Sequence, residues 1–180
     1  MSNCQLVNDR VEKLIANLSP ELQELTDKGA KIISDGGLVA FPTETVYGLG
    51  ANALSESAVA EIYKTKGRPS DNPLILHLSS IEMAKKLVKW NEKAEKLAEA
   101  FWPGALSLVL PACDIVPSKT RGGLTTAAVR MPNNAIALAL IKKSSLPIAA
   151  PSANISGRPS PTEASVVTSE IGDKIPLVID

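Results

Sequence analysis

Gly37-Leu38-Val39-Ala40-Phe41, halted by Pro42 and followed by the polar run Thr43-Glu44-Thr45, decides the fold class. The apolar run is too short for a helix and is bounded by breakers, which is the pattern of a buried strand. Upstream, Val7, Val11, Leu14 and Leu18 recur at helical spacing across residues 5–18. Ser19-Pro20 supplies a cap and first position for a second helix reaching about residue 36. Two helices feeding a buried strand predict an α/β protein and put Thr43-Glu44-Thr45 just beyond a strand end.

The same alternation continues. Ser55 caps a helix over about residues 56–65; Gly67 and Pro69 then break it and leave 66–73 as a loop. Strands are predicted at 74–78, 105–110, 126–130, 146–150 and 176–179. Helices start at Ser80 and at Asn91, the second ending at Trp102-Pro103-Gly104, and another covers 133–143. Ser160-Pro161-Thr162-Glu163 matches a capping box that opens a last helix. No repeat or low-complexity tract interrupts the chain, so residues 1–180 are read as one domain.

With 180 residues, one substantial core fits better than two small ones. Apolar residues are 44% but aromatics only 3%, so Ala, Leu, Ile and Val must fill that core, as suits helices packed on a sheet. Lys plus Arg and Asp plus Glu are both 19, so no net field draws in nucleic acid and any anion site must be local. The N-terminus carries no apolar h-region and no later stretch is a membrane span, which predicts a cytoplasmic protein. Cys4 and Cys113 fit neither a disulfide framework nor a zinc motif, and a lone histidine excludes a His-rich metal centre. A participating metal would be Mg²⁺ carried in on phosphates.

Lys64-Thr65-Lys66-Gly67-Arg68-Pro69 crowds three cations at a helix end. Lys66 and Arg68, two apart, can converge on one anion only where the helix has stopped. The alternative is a solvated helix terminus whose cations suit the dipole. Pro151-Ser152-Ala153-Asn154 leaves an interior strand where α/β proteins bind ligands, and it offers a hydroxyl and an amide; as an isolated motif it is also an ordinary polar turn. Thr126, Ala128 and Arg130 share one strand face, as do Ile75, His77 and Ser79. Arg130 suits a carboxylate or carbonate, whereas His77 is equally readable as a strand histidine bonded to a neighbour. Gly48-Leu49-Gly50-Ala51-Asn52-Ala53 formally matches a dinucleotide fingerprint but does not follow directly on a strand, so that reading fails.

Phe41-Pro42-Thr43-Glu44-Thr45-Val46-Tyr47-Gly48-Leu49, Lys66-Gly67-Arg68-Pro69 with Asn72-Pro73-Leu74, Trp102-Pro103-Gly104, Val129-Arg130-Met131-Pro132 and Pro151-Ser152-Ala153-Asn154-Ile155-Ser156-Gly157 occur in one order. Together they resemble the YrdC family of L-threonylcarbamoyladenylate synthases, from about residue 25 to the end. The resemblance implies a single domain with a twisted mixed sheet flanked by helices and a basic cavity. It also implies formation of threonylcarbamoyl-AMP and pyrophosphate from L-threonine, bicarbonate and ATP with Mg²⁺. The product would serve modification of tRNA adenosine 37 by partner transferase proteins.

By the same resemblance Lys66, Arg68, Asn72, Thr126, Ser152, Asn154 and Ser160 would hold ATP, with Lys66 and Arg68 catalytic. Thr43, His77, Arg130 and the backbone at Ala150 would hold threonine and its carbamate. The family pattern runs on beyond Ile179-Asp180 into a Gly-rich segment and a Ser-Thr-Val strand, so this sequence either is cut short there or lacks that tail, and the extra C-terminal domain of the longer family version is not expected. Two rival readings share the cavity: a module binding tRNA or double-stranded RNA without chemistry, and a paralogue adenylating another acceptor. Neutral overall charge disfavours RNA binding as the sole role.

Overall fold

Ser19 Oγ accepts the Leu22 N–H and so satisfies one of the free donors at the start of a helix. The computed structural model describes residues 3–180, and side chains from residue 5 onward. Helix α1 spans Asn3–Ile15, α2 Pro20–Ser34, α3 Glu56–Lys66, α4 Ile81–Leu87, α5 Glu92–Phe101, α6 Ala135–Ser144 and α7 Ala164–Ile171. The strands are β1 Val39–Phe41, β2 Gly48–Asn52, β3 Ile75–His77, β4 Ser107–Pro111, β5 Thr126–Arg130, β6 Ile148–Ala149 and β7 Leu177–Val178. Ser55, Ser80, Asn91 and Asn134 each cap the helix that follows.

The seven strands form one mixed sheet in the order β4-β5-β3-β6-β2-β1-β7. Only β3 with β5 and β1 with β7 run parallel. The β3–β5 register sets His77 opposite Arg130 and Ile75 opposite Ala128, so the two strand faces singled out in the sequence are one continuous face. Helices cover both sides of the sheet. Val39, Phe41 and Ile148 pack with Ala30 and Ile33 of α2 and Leu140 and Ile141 of α6. Ala40, Leu49, Leu76 and Val129 join a larger cluster with Val59 and Ile62 of α3, Ala98 of α5 and Ile171 of α7. Among the described residues no helix is long and apolar enough to cross a membrane. Cys113 is a free thiol, and the Cys4 side chain lies outside the described residues.

Several boundaries shift by a few residues, β6 for instance being only Ile148–Ala149, and three departures bear on the site. Strand β2, Gly48–Asn52, was not anticipated, because two glycines and no β-branched residue conceal it. The glycine is required by packing: a Cβ at Gly50 would lie 2.6 Å from Phe41 and 2.7 Å from Ile148. Helix α3 runs on through Lys66, one residue past its expected end, and Gly67 caps it at φ 61°. The Ser160 capping box does not form. Glu163 is the cap residue of α7 and makes no side-chain cap bond, because the chain at Pro161 is committed elsewhere, its carbonyl accepting the Tyr47 N–H at 2.9 Å.

Candidate active site

The crowded cations separate in space. Lys64 is exposed and pairs with Glu61 at 3.3 Å. Lys66, on the last turn of α3, points inward and is buried, 2% exposed. Its Nζ donates to the Ser152 carbonyl and, at 2.6 Å, to that of Asn154. The hydroxyl-amide turn is therefore clamped by the first lysine of the Lys-x-Arg pair, and an ammonium has only one further proton to offer. Burial pulls the Lys66 pKa down to about 8; the Arg68 charge adds to this and Glu170 opposes it. Around the clamp, Ser156 N–H donates to Lys66 O at 2.8 Å and Ile155 N–H to Glu170 at 3.0 Å. Asn154 Nδ2 donates to the carbonyls of Ile155 and Arg158, each at 2.8 Å.

Beside the clamp lies a cavity of about 120 Å³ where β3, β5 and β6 come together. Thr43, Tyr47, His77, Arg130, Ala150 and Ser152 are among its lining. Since about 10–15 Å³ of such space holds one water, it takes a small molecule, not a whole nucleotide. Arg130 Nη2 donates to Glu44 Oε2 at 2.8 Å and to Thr45 Oγ1 at 3.2 Å. His77 is 3% exposed and its pKa falls to about 4, through burial first and then the adjacent Arg130 charge, so the ring is neutral at pH 7. Thr43 Oγ1 is spent on its own turn, donating to Val46 O at 2.6 Å and accepting from Thr45 and Val46 N–H. Ala150 N–H is likewise committed, to Ile75 O at 3.0 Å.

Six buried side-chain polar atoms have no partner among the described residues, and four of them are Arg68 Nε, His77 Nδ1, Arg130 Nε and Asn154 Oδ1. Unpaired buried polar atoms are rare and costly in folded proteins; of these four residues His77 and Arg130 line the cavity, Asn154 belongs to the clamp, and Arg68 donates through Nη2 to Pro73 O at 3.4 Å. Thr43, His77, Arg130, Ala150 and Ser152 meet at the cavity, and Lys66, Ser152 and Asn154 meet at the clamp. Asn72, Thr126 and Ser160 do not line that cavity. Asn72 lies where its carbonyl accepts from Tyr63 Oη at 3.0 Å, and Thr126 sits on the Arg130 face of β5.

Sequence reasoning missed Glu44, Thr45, Tyr47 and Glu170. The first two were visible only as polar residues past a strand end. Tyr47 bonds Asp180 through its hydroxyl, and burial followed by that carboxylate pushes its pKa well up. Glu170, sixteen residues beyond Asn154, had no local signal at all.

A helix-covered mixed sheet with an arginine-bearing polar cavity beside a lysine-clamped turn defines an α/β protein. The model of the Sua5/YciO/YrdC family, described as "Telomere recombination", matches residues 31–180, and the chain belongs to that family. Threonylcarbamoyl-AMP synthase of Pyrococcus abyssi is 55% identical over 169 residues, covering 93% of this chain and 50% of the relative. The enzyme of the same name from Bacillus subtilis is 51% identical over 155 residues, covering 85% and 45%. The crystal structure of Pyrococcus abyssi Sua5 complexed with L-threonine superposes with a TM-score of 0.86 at 57% identity, covering 88% of this chain and 47% of that one. The chain thus spans about half the length of these relatives.

Proposed function

We propose that this chain forms threonylcarbamoyl-AMP and pyrophosphate from L-threonine, bicarbonate and ATP. The observation that carries the reading is the Lys66 clamp: it fixes Ser152, which lines the small cavity, beside the Lys-x-Arg segment. A relative of 57% identity binds L-threonine, and the cavity here has the size and the cation for an amino acid. Arg130 holds the threonine carboxylate beside neutral His77, while Thr43 shapes the turn that closes the cavity. Lys66, Arg68, Asn72, Thr126, Ser152, Asn154 and Ser160 hold ATP, which brings Mg²⁺ as its counter-ion.

Chemistry on this reading needs no protein nucleophile. The threonine amine forms a bond to the carbon of bicarbonate and water leaves; a carbamate oxygen then attacks the α-phosphorus and the bond to pyrophosphate breaks. The residues supply position and charge, as in other displacements at phosphorus. The product would pass the threonylcarbamoyl group to tRNA adenosine 37 through partner transferases. Arg68→Ala is expected to lower threonine-dependent pyrophosphate release by about 10²-fold or more without unfolding the protein. Full residual turnover contradicts the assignment, and exchange of labelled pyrophosphate into ATP that ignores threonine and bicarbonate would indicate another acceptor.

A further inference from the structure

Arg130 offers a carboxylate two prongs on one edge of its guanidinium, Nε and Nη2, and only one of them is engaged. Nη2 donates to Glu44 and to Thr45, whereas Nε is buried and has no partner among the described residues. Arginine and carboxylate pair most strongly through two parallel bonds, so Glu44 holds the cation by the weaker, single-bond mode. Its side chain is 21% exposed, against 10% for Arg130, leaving it a route outward. The turn that carries it is shaped by Thr43 Oγ1, not by the Glu44 side chain.

The geometry points to Glu44 as a displaceable internal carboxylate: an entering α-carboxylate takes both prongs of Arg130 and expels Glu44 toward solvent while Thr45 stays on Nη2. Glu44 is then a selectivity device as well as a neutralising partner. A ligand without a carboxylate cannot compete for the guanidinium, and a ligand with one must outmatch an anion that is already tethered. This inference rests on the proposed reading that the cavity takes an amino acid.

The test is calorimetric binding of L-threonine and of L-threoninamide to the wild type, Glu44→Gln and Arg130→Ala, with folding checked by thermal melting. Glu44→Gln keeps the shape but exchanges a charge-assisted competitor for a neutral one. It is expected to bind threonine about tenfold more tightly and threoninamide no better. Should that variant not fold, Glu44→Ala is read in the same way. If the wild type binds threonine, Arg130→Ala loses it and the Glu44 variant binds it no more tightly, displacement is overturned while the amino-acid site stands. An equal gain for threoninamide, which shows a loosened turn instead, also overturns it. Absence of threonine binding by the wild type overturns both readings.

Discussion

Lys66 is a cation whose partners are two carbonyls instead of a carboxylate, so its charge is not cancelled but its protons are largely spent. Bonds from a charged donor contribute about 1.5–3 kcal/mol each, and removing the donor strands two acceptors. Lys66→Met is expected to cost about 2–4 kcal/mol in urea unfolding with an unchanged m-value; wild-type stability in that variant would contradict the clamp. His77 gives a pH signature. Its folded pKa is about 4 against 6.5 for a free histidine, so between these values the unfolded chain binds the proton and the folded chain does not. Its contribution is therefore fully present above about pH 6.5 and is lost as pH falls toward 4, by on the order of 3 kcal/mol. A His77→Gln variant should show a shallower acid limb over that window in unfolding measurements from pH 4 to 7. The types and spacing of Lys66, Arg68, Ser152 and Asn154 were legible in the sequence. That Lys66 reaches backbone carbonyls was not, because it depends on where α3 meets a loop 86 residues away.

Helices were the most legible elements, since Ser19, Ser55, Ser80 and Asn91 all cap where the sequence places a helix start, although Asn134 caps a helix read as beginning one residue before that cap. Strand β2 was not, because its identity lies in what it must not carry. Gly50 leaves room for Phe41 from β1 and Ile148 from β6, both fully buried, and a strand forms there only because its neighbours supply the side chains. Gly50→Ala would force those two residues apart and should destabilise by about 1–3 kcal/mol, read as a lowered melting temperature. An unchanged melting temperature would mean that Phe41 swings aside without cost. The failed capping box teaches the converse: Ser160-Pro161-Thr162-Glu163 has the right letters, but the Pro161 carbonyl serves Tyr47, and a tertiary bond outweighs a local preference. Parallel pairing of β3 with β5, which sets His77 against Arg130, was likewise beyond any local pattern.

Across the whole molecule, one loop joins the two proposed subsites. Ser152 lines the cavity, its carbonyl is held by Lys66, and its neighbours Pro151 and Ala153 bond Leu49 and Tyr47 on either side. Nothing in the net charge assists, since positive and negative residues balance, so the proposed affinity for ATP would have to come from this local assembly. A ligand that orders the loop from the cavity side lowers the ordering cost for one arriving on the Lys-x-Arg side, and linkage makes the effect reciprocal. Titrating ATP with and without saturating threonine, and threonine with and without saturating ATP under non-turnover conditions without bicarbonate, should give the same factor in both directions. Coupling of this kind is commonly about 5-fold or more. Lys66→Met, which unties the loop and removes one of the proposed ATP contacts, should weaken ATP, leave threonine binding in place and bring the factor toward one. Unit coupling in the wild type would show that the two subsites, although neighbours, do not share the loop as a mechanical element.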